Sequence, residues 1–150
     1  MALAKSNINQ RKARKPKMID EEFEQVKDFH RAFNHLISET PVLLSEREAQ
    51  NRAGFMREEI DEFMESENVC DQADAMIDLI YFALGTLVQM GVKPKEIFDI
   101  VHNANMTKIW DDGLVHHRES DGKVIKPPSW EDPYPKIKAA IERMGKNHGQ

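Results

Sequence analysis

The sequence predicts an all-α domain, a helical bundle of about five helices. Apolar side chains recur every three or four positions through most of the chain, which is the spacing of one helix face. Capping residues, prolines and glycines interrupt these runs at helix-length intervals, and strand-like alternation is nearly absent. The chain has 150 residues, of which 40% are hydrophobic and 31% charged, enough for one domain with a buried core. Its single cysteine, Cys70, cannot form a disulfide within the chain.

The first predicted helix follows Asp20, a residue type suited to the N-cap position. It is expected to end before Thr40-Pro41, because proline restricts the residue that precedes it. Its inward face is predicted to comprise Phe23, Val26, His30, Phe33 and Ile37.

The second helix is predicted to open at Ser45 and Glu48, whose three-residue separation forms a capping-box pattern. It runs to about Glu65, and the polar run 65–68 indicates a tight turn. Its expected core face is Ala49, Ala53, Met56, Ile60 and Phe63.

The third helix is predicted over residues 69–90, with Gly91 at a C-terminal cap position. Nearly every face of this helix is apolar, and such a helix is expected to be buried. A fourth helix opens at Pro94, because proline is favoured in a first helical turn. Its inward residues are predicted to be Ile97, Ile100, Val101 and Ala104.

Turn signals dominate the next segment, at residues 110–113 and 121–122. They predict a short hairpin or an irregular loop. The last helix is predicted to start at Asp132-Pro133 and to end at Gly145. Its inward residues are expected to be Ile137, Ala140, Ile141 and Met144.

Charge is unevenly distributed along the chain. Residues 1–17 contain six basic and no acidic side chains, and we predict a flexible basic arm there, before a domain spanning residues 18–150. The remaining 15 basic residues face 26 acidic ones, so only the arm could bind nucleic acid electrostatically. The longest apolar stretch, 77–88, contains an aspartate and is too short to cross a bilayer. Because no secretory signal is visible either, we expect a cytoplasmic protein without a membrane partner.

Two acidic clusters lie on the second and third helices. An E-E-x-x-E pattern spans Glu58 to Glu62, and Glu-rich segments of this kind commonly form a solvated helix face. On the next helix, Asp71, Asp74 and Asp78 fall within about 60° of one another. Carboxylates on a buried helix repel one another and lose their hydration. Either a bound cation or an Arg or Lys side chain in the core is then required to compensate them.

The turn near residues 66–67 makes the second and third helices an antiparallel hairpin. Glu62 is then expected opposite Asp71, and Glu59 opposite Asp74, so that two acidic stripes face the same gap. Carboxylate oxygens without His or Cys suit Mg²⁺, or Mn²⁺ in its place, better than zinc. Since Mg²⁺ commonly keeps waters and is shared with substrate phosphates, the sequence predicts a magnesium site open to a polyphosphate.

Polar and basic residues after the fourth helix are candidate phosphate ligands. Asn103, Asn105 and Lys108 lie near the helix end, and Lys123 and Lys126 lie in a later loop. Each lysine alone is by default a solvated surface residue. Together, in so acidic a chain, they could counter the charge of a bound triphosphate.

These motifs resemble the MazG-like all-α nucleoside triphosphate pyrophosphatase superfamily, and within it the phosphoribosyl-ATP pyrophosphohydrolase-like subgroup. The resemblance rests on the E-E-x-x-E pattern, on the run from Asp74 to Thr86, and on two later segments, 105–108 and 121–128. It covers roughly residues 20–132.

The resemblance implies Mg²⁺-dependent cleavage between the α and β phosphates, which releases a nucleoside monophosphate and pyrophosphate. It also implies removal of unwanted nucleotides, for example dUTP or modified dNTPs, by a homodimer or a dimer of dimers. By motif, Glu58 would act on the attacking water. The implied metal ligands are Glu59, Glu62, Asp71 and Asp74, with Asp78 sharing their work, and the implied phosphate contacts are Asn105, Lys108, Lys123 and Lys126.

Two other functions stay open on the sequence. The substrate could be phosphoribosyl-ATP, which would make the chain an enzyme of histidine biosynthesis. Alternatively, the chain could be a non-catalytic helical module whose basic arm binds nucleic acid, although the acidic body makes nucleic acid an unfavoured partner. No motif specifies a nucleobase.

Overall fold

The structure is a computed structural model that describes residues 19–147. Its five helices are α1 (Ile19–Ala32), α2 (Glu46–Glu65), α3 (Val69–Met90), α4 (Pro94–Met106) and α5 (Tyr134–Lys146). Within the described part of the chain the only strand-like pairing is an isolated antiparallel bridge between His117 and Val124. The predicted all-α class and the five helices are therefore confirmed. The predicted basic arm, residues 1–17, lies outside the described residues.

The helical hairpin α2–α3 forms as the capping residues predict. Ser45 Oγ accepts a hydrogen bond from the Glu48 backbone N–H at 3.2 Å, which caps α2. Asn68 caps α3 by accepting from the Asp71 N–H at 3.0 Å. Gly91 ends α3 in the left-handed region, at φ 67°. These local signals fix the length and the register of the hairpin.

The first helix differs from its prediction at both ends. It begins at Ile19, so Asp20 lies inside the first turn and accepts from the Lys95 N–H on α4 at 3.0 Å. It ends at Ala32, well before Thr40-Pro41, because Asn34 adopts a positive φ of 56°. Phe33 is therefore exposed, whereas Ile37 still packs against the core from outside the helix.

A small core lies between α1 and α3. Phe23 and Val26 of α1 pack against Leu84 and Val88 of α3. The partly buried residues around this cluster are Ile19, Ile37 and Leu87. Helix α2 packs along the other side of α3, while α4 contacts α1 and α5. Helix α3 is thus the central element of the bundle.

A polar junction joins the first three helices around Gly85. A Cβ at this position would lie 2.5 Å from Arg52 Nη2 and 2.9 Å from His30 Nε2. Arg52 is buried and donates to Thr86 Oγ1 at 3.0 Å and to the Phe82 carbonyl at 2.7 Å. His30 is also buried, and its Nδ1 lies 2.9 Å from the Leu36 carbonyl. Only glycine leaves room for the two side chains against α3.

The predicted core face of α2 is confirmed in part. Of its five residues, Ala53, Met56 and Phe63 are half-buried, whereas Ala49 and Ile60 are exposed. The most buried residues of the helix are instead Arg52 and Glu59, two turns apart with Met56 between them. The apolar pattern alone therefore misses the two charged residues that lie on the inward face.

Helix α3 is much less buried than its composition predicts. Ile77 is 61% exposed, and Asp71, Asp74 and Asp78 are all exposed. The main helical neighbours of α3 are α1 and α2, which leave part of its surface uncovered. By length and composition alone this 22-residue helix could cross a membrane, contrary to the expectation from the run 77–88. The central helix of a bundle satisfies the same criterion.

The C-terminal region follows its prediction closely. Asp132 Oδ1 accepts from the Tyr134 N–H at 2.8 Å and sets the start of α5. The predicted inward residues Ile137, Ala140, Ile141 and Met144 are buried or half-buried. Gly145 lies within the helix instead of ending it, since α5 continues to Lys146. The segment between α4 and α5, residues 107–133, is irregular apart from the isolated bridge.

Candidate active site

Glu59 is the buried member of the acidic cluster on α2. Its side chain faces α3, and within residues 19–147 its Oε2 atom has no hydrogen-bond partner. Burial raises the pKa of the Glu59 carboxyl above its ordinary value, and four neighbouring carboxylates raise it further. In decreasing order of effect these are Glu62, Asp78, Glu58 and Asp74. The oxygen is thus buried, unsatisfied and surrounded by like charge.

The other carboxylates of the two helices are exposed. Glu58 and Glu62 fit the solvated-face interpretation of the E-E-x-x-E segment, which fails only for Glu59. The hairpin brings Asp74 near Glu59, as the antiparallel geometry predicts, and Asp78 acts on Glu59 more strongly than Asp74 does. Carboxylates of both helices therefore act electrostatically on the buried Glu59.

Asp71 is positioned differently from the other aspartates. Its Oδ2 atom accepts from Asn68 Nδ2 at 2.6 Å, while its backbone N–H donates to Asn68 Oδ1. This reciprocal pair caps the start of α3. Asp71 is also not among the carboxylates that act on Glu59. The structure therefore gives Asp71 a capping contact and does not bring it to Glu59.

The alternative predicted from the sequence is a buried Arg or Lys that compensates the aspartates. A buried arginine is present, but it contacts other groups. Arg52 lies in the core, and burial lowers the pKa of its guanidinium. It donates to Thr86 and Phe82 and lies 5.5 Å from the Phe82 ring centroid. None of the ion pairs in residues 19–147 involves Asp71, Asp74 or Asp78. The acidic stripe therefore has no cationic side chain of this region against it.

The donor types of this acidic cluster suit a hard divalent cation, whereas their present spacing does not form a metal site. As arranged, no three His, Cys, Asp or Glu side chains of the described chain are grouped closely enough to hold a metal ion. The unpartnered Glu59 oxygen nevertheless lacks a positive partner, and exposed carboxylates surround it. An oxygen-only donor set with few direct protein ligands suits Mg²⁺, which retains several waters. Glu59, Glu62, Asp74 and Asp78 are the side chains that could hold it.

The predicted phosphate contacts lie in or beside the segment that follows α4. Lys108 and Lys126 both lie near the Trp130 ring, with their Nζ atoms 5.8 Å and 4.1 Å from its centroid. Asn105 lies exposed in the last turn of α4, and Lys123 lies exposed at the bridge. The structure thus pairs two of the four predicted residues.

Two residues of this arrangement escaped the sequence reasoning. Arg52 sits in a polar run of α2, and its only signal is its position seven residues before Glu59, on the same helix face. Trp130 follows two prolines and looks like a loop residue, although a tryptophan between lysines in a polar segment is itself an unusual pattern.

The chain matches the sequence model of one known protein family. Residues 26–105, just over half of the chain, match a family model described as phosphoribosyl-ATP pyrophosphohydrolase. The chain is also similar to a solved structure from Exiguobacterium sp. 255-15, described as a proposed NTP pyrophosphohydrolase. That likeness has 28% identity and a TM-score of 0.47, and it covers 85% of this chain and 97% of the other. No curated protein matches significantly.

Proposed function

The chain belongs to the phosphoribosyl-ATP pyrophosphohydrolase family and is a nucleotide pyrophosphohydrolase, and we propose that it hydrolyses nucleoside triphosphates with the help of Mg²⁺. In this reaction water attacks phosphorus, the bond between the α and β phosphates breaks, and a nucleoside monophosphate and pyrophosphate are released. We propose removal of unwanted nucleotides, for example dUTP or modified dNTPs, in the cytoplasm. Because the chain belongs to an enzyme family, the alternative of a non-catalytic helical module is not pursued.

The observation that carries the proposal is the environment of Glu59. A buried carboxylate oxygen without a partner, among four further carboxylates, is destabilising unless a cation joins it. Asp74 and Asp78 approach it from α3 and Glu62 from α2. An acidic surface of this kind would repel a triphosphate unless a metal ion lay between them, which supports a substrate bound together with Mg²⁺.

The remaining roles follow from charge and position. When bound, Mg²⁺ neutralises phosphate charge and lowers the pKa of its water. Glu58 is exposed beside this cluster and is proposed to accept a proton from the attacking water. Lys108, Lys126, Lys123 and Asn105 are proposed to contact phosphates, where ammonium groups offset the charge of the leaving pyrophosphate. Asp71 is proposed as a weaker contributor, since Asn68 already occupies its carboxylate.

A second copy of the chain is the proposed partner. Helices α2 and α3 expose several large apolar side chains, namely Ile60, Met64, Val69, Ile77 and Ile80. Apolar residues concentrated on one helical hairpin are typical of a protein interface. We propose a homodimer or a dimer of dimers. Light scattering checks this, and a monomer at micromolar concentration would contradict it.

Pyrophosphate release from a panel of NTPs and dNTPs, with and without Mg²⁺, tests the proposed reaction. Asp74→Asn is expected to abolish Mg²⁺-dependent release while leaving the bundle folded. Asp61→Asn is the matched control, because Asp61 is an exposed carboxylate of α2 that does not act on Glu59. Equal activity in the two variants would remove Asp74 from the site.

Phosphoribosyl-ATP is the second candidate substrate, because the matching family model is described by that activity. Including it in the same panel distinguishes the two substrates. Release from phosphoribosyl-ATP alone, together with complementation of a histidine auxotroph, would replace the proposal with the biosynthetic function.

A further inference from the structure

The irregular segment between α4 and α5 is organised around Trp130. Its indole Nε1–H donates to the Ala104 carbonyl at 2.7 Å, across 26 residues of sequence. Thr107 Oγ1–H donates to the same carbonyl at 2.8 Å. Carbonyls in the last turn of a helix lack an intrahelical partner, so the indole satisfies one of them. The ring is therefore anchored to the end of α4.

Two ammonium groups share this ring. Lys126 Nζ lies 4.1 Å and Lys108 Nζ lies 5.8 Å from the ring centroid, both within the range of a cation–π interaction. Neither lysine forms an ion pair with any carboxylate in residues 19–147. The chain is acidic overall, yet here two positive charges lie within cation–π range of one ring, and neither has an ion-pairing carboxylate in residues 19–147. Two ammonium groups beside one ring, neither paired with a carboxylate, could bind the same anion.

We propose that Trp130 is a positioning residue that holds Lys108 and Lys126 in place to bind the polyphosphate of the substrate. The inference rests on the proposed function and adds to it a residue that touches the lysines, with no role in the chemistry itself. A free lysine side chain loses rotamer entropy when it closes on a phosphate. Holding both ammonium groups on an anchored ring removes part of that cost before the substrate arrives.

The surroundings of the ring suit a ligand larger than phosphate. Trp130 lines a cavity of about 330 Å³ between the end of α4 and the start of α5. The cavity lining combines apolar, neutral polar and charged groups. The other lining residues are Ile100, Ala104, Pro133, Asn103, Thr107 and Ser129, together with the acidic Glu131 and Asp132 and the basic Lys136. A concave surface of this size and mixture is typical of small-molecule sites. The two lysines therefore lie beside a concavity, where a bound polyphosphate could extend.

Trp130→Leu and Trp110→Leu form a matched pair of variants. Trp110 lies in the same segment and donates to the Ile125 carbonyl at 3.1 Å, and its ring packs on His116 without a lysine contact. Trp130→Leu is expected to raise KM for the best nucleotide about 10-fold, the loss of two cation–π contacts, with kcat within about threefold. Trp110→Leu is expected to change KM less than about threefold. Trp130→Phe keeps an aromatic face but loses the hydrogen bond to the Ala104 carbonyl, and is expected to restore part of the loss.

If Trp130 positions the lysines, the effect of changing Trp130 should depend on whether the lysines are present. A merely structural role of Trp130 would not show this dependence. In a Lys126→Met background, Trp130→Leu is expected to have a smaller effect on KM than in the wild type, because part of the contact is already gone. Fully additive effects would overturn the inference. So would an equal rise in KM for both tryptophan variants, or a fall in kcat that Trp130→Phe does not restore.

Calorimetric binding of inorganic pyrophosphate tests, without turnover, whether Trp130 positions the two lysines for phosphate binding. Weaker binding by Trp130→Leu than by Trp110→Leu supports the inference even if no nucleotide is hydrolysed, in which case only the proposed function fails. Equal binding overturns it. Should Trp130→Leu not fold, Trp130→Phe and Lys126→Met replace it. Lys126→Met is then expected to weaken pyrophosphate binding more than Lys138→Met, which changes an exposed lysine on α5.

Discussion

Two buried polar residues on α2, Arg52 and Glu59, lie seven positions apart on one helix face and have opposite surroundings. Arg52 donates to a hydroxyl and to a backbone carbonyl and lies against Gly85. Glu59 has an oxygen without a partner and is surrounded by carboxylates. The satisfied group joins α2 to α3, whereas the unsatisfied one weakens the fold. Where a polar group is buried at a cost to stability, ligand binding is the function to test first.

The largest expected effect comes from removing the charge of Glu59. If Glu59 holds Mg²⁺ as proposed, Glu59→Gln is expected to lower Mg²⁺-dependent pyrophosphate release at least about 100-fold. The same change is expected to leave the melting temperature unchanged or raised, since repulsion by four carboxylates disappears. Assays of turnover and thermal unfolding on one preparation check both. If Glu59→Gln lost activity because it unfolds, Glu59 would be a stabilising residue like Arg52, which would contradict the prediction.

The opposite pattern is expected at the Arg52 junction. Gly85→Ala is expected to destabilise the fold by about 1–3 kcal/mol, because the new methyl group overlaps two buried side chains. Gly54→Ala is the control, since a Cβ at Gly54 meets nothing within 4 Å. This substitution also replaces a glycine inside helix α2. It is expected to stabilise by about 0.5–1 kcal/mol. Urea unfolding measures both, and equal effects would contradict the packing at Gly85.

Acid is expected to weaken the same junction through His30. Burial lowers the pKa of His30, the Leu36 carbonyl opposes this shift, and Arg52 and His35 add to it. The unfolded chain therefore binds a proton more readily than the folded one, so stability falls as pH drops below about 6.5. His30→Gln is expected to flatten this dependence between pH 7.5 and 5.5, while His102→Gln, at an exposed site, keeps it. An unchanged slope in His30→Gln would contradict the shift.

The smallest expected effect is at Asp71. Asp71→Asn is expected to lower turnover less than about tenfold, because the carboxylate contacts Asn68 and does not act on Glu59. Loss of charge at this first-turn position is expected to cost about 0.5 kcal/mol of stability. Comparing turnover with Asp74→Asn orders the two aspartates. A larger loss at Asp71 would restore it as a principal metal ligand.

The helices could be predicted because their signals are local. Ser45 and Gly91 set element boundaries at their predicted positions through hydrogen bonds within a few residues. Asn68, predicted only as part of a turn, caps α3 in the same local way. The end of α1 could not be predicted in this way. It depends on Asn34 and on contacts of the following segment with α3, which join residues far apart in sequence.

The roles of the candidate site residues stay predictions, and only part of their arrangement could be anticipated. The predicted antiparallel hairpin forms, and Asp74 acts electrostatically on Glu59 across it. The burial of Glu59 could not be predicted, because a charged residue facing the core contradicts the usual apolar pattern. The pairing of Lys108 and Lys126 was missed as well, since it depends on Trp130 reaching back to α4.

The segment between α1 and α2 is attached to the end of α3 by its backbone. The Ser38 N–H donates to the Val88 carbonyl at 3.2 Å, and the Val42 N–H donates to the Met90 carbonyl at 2.9 Å. A Cβ at Gly91 would lie 2.3 Å from the Thr40 carbonyl oxygen, so the contact is close along its length. In native-state hydrogen exchange, these two amides should therefore open together with the last turn of α3. A stretch without regular secondary structure would then exchange as slowly as a helix.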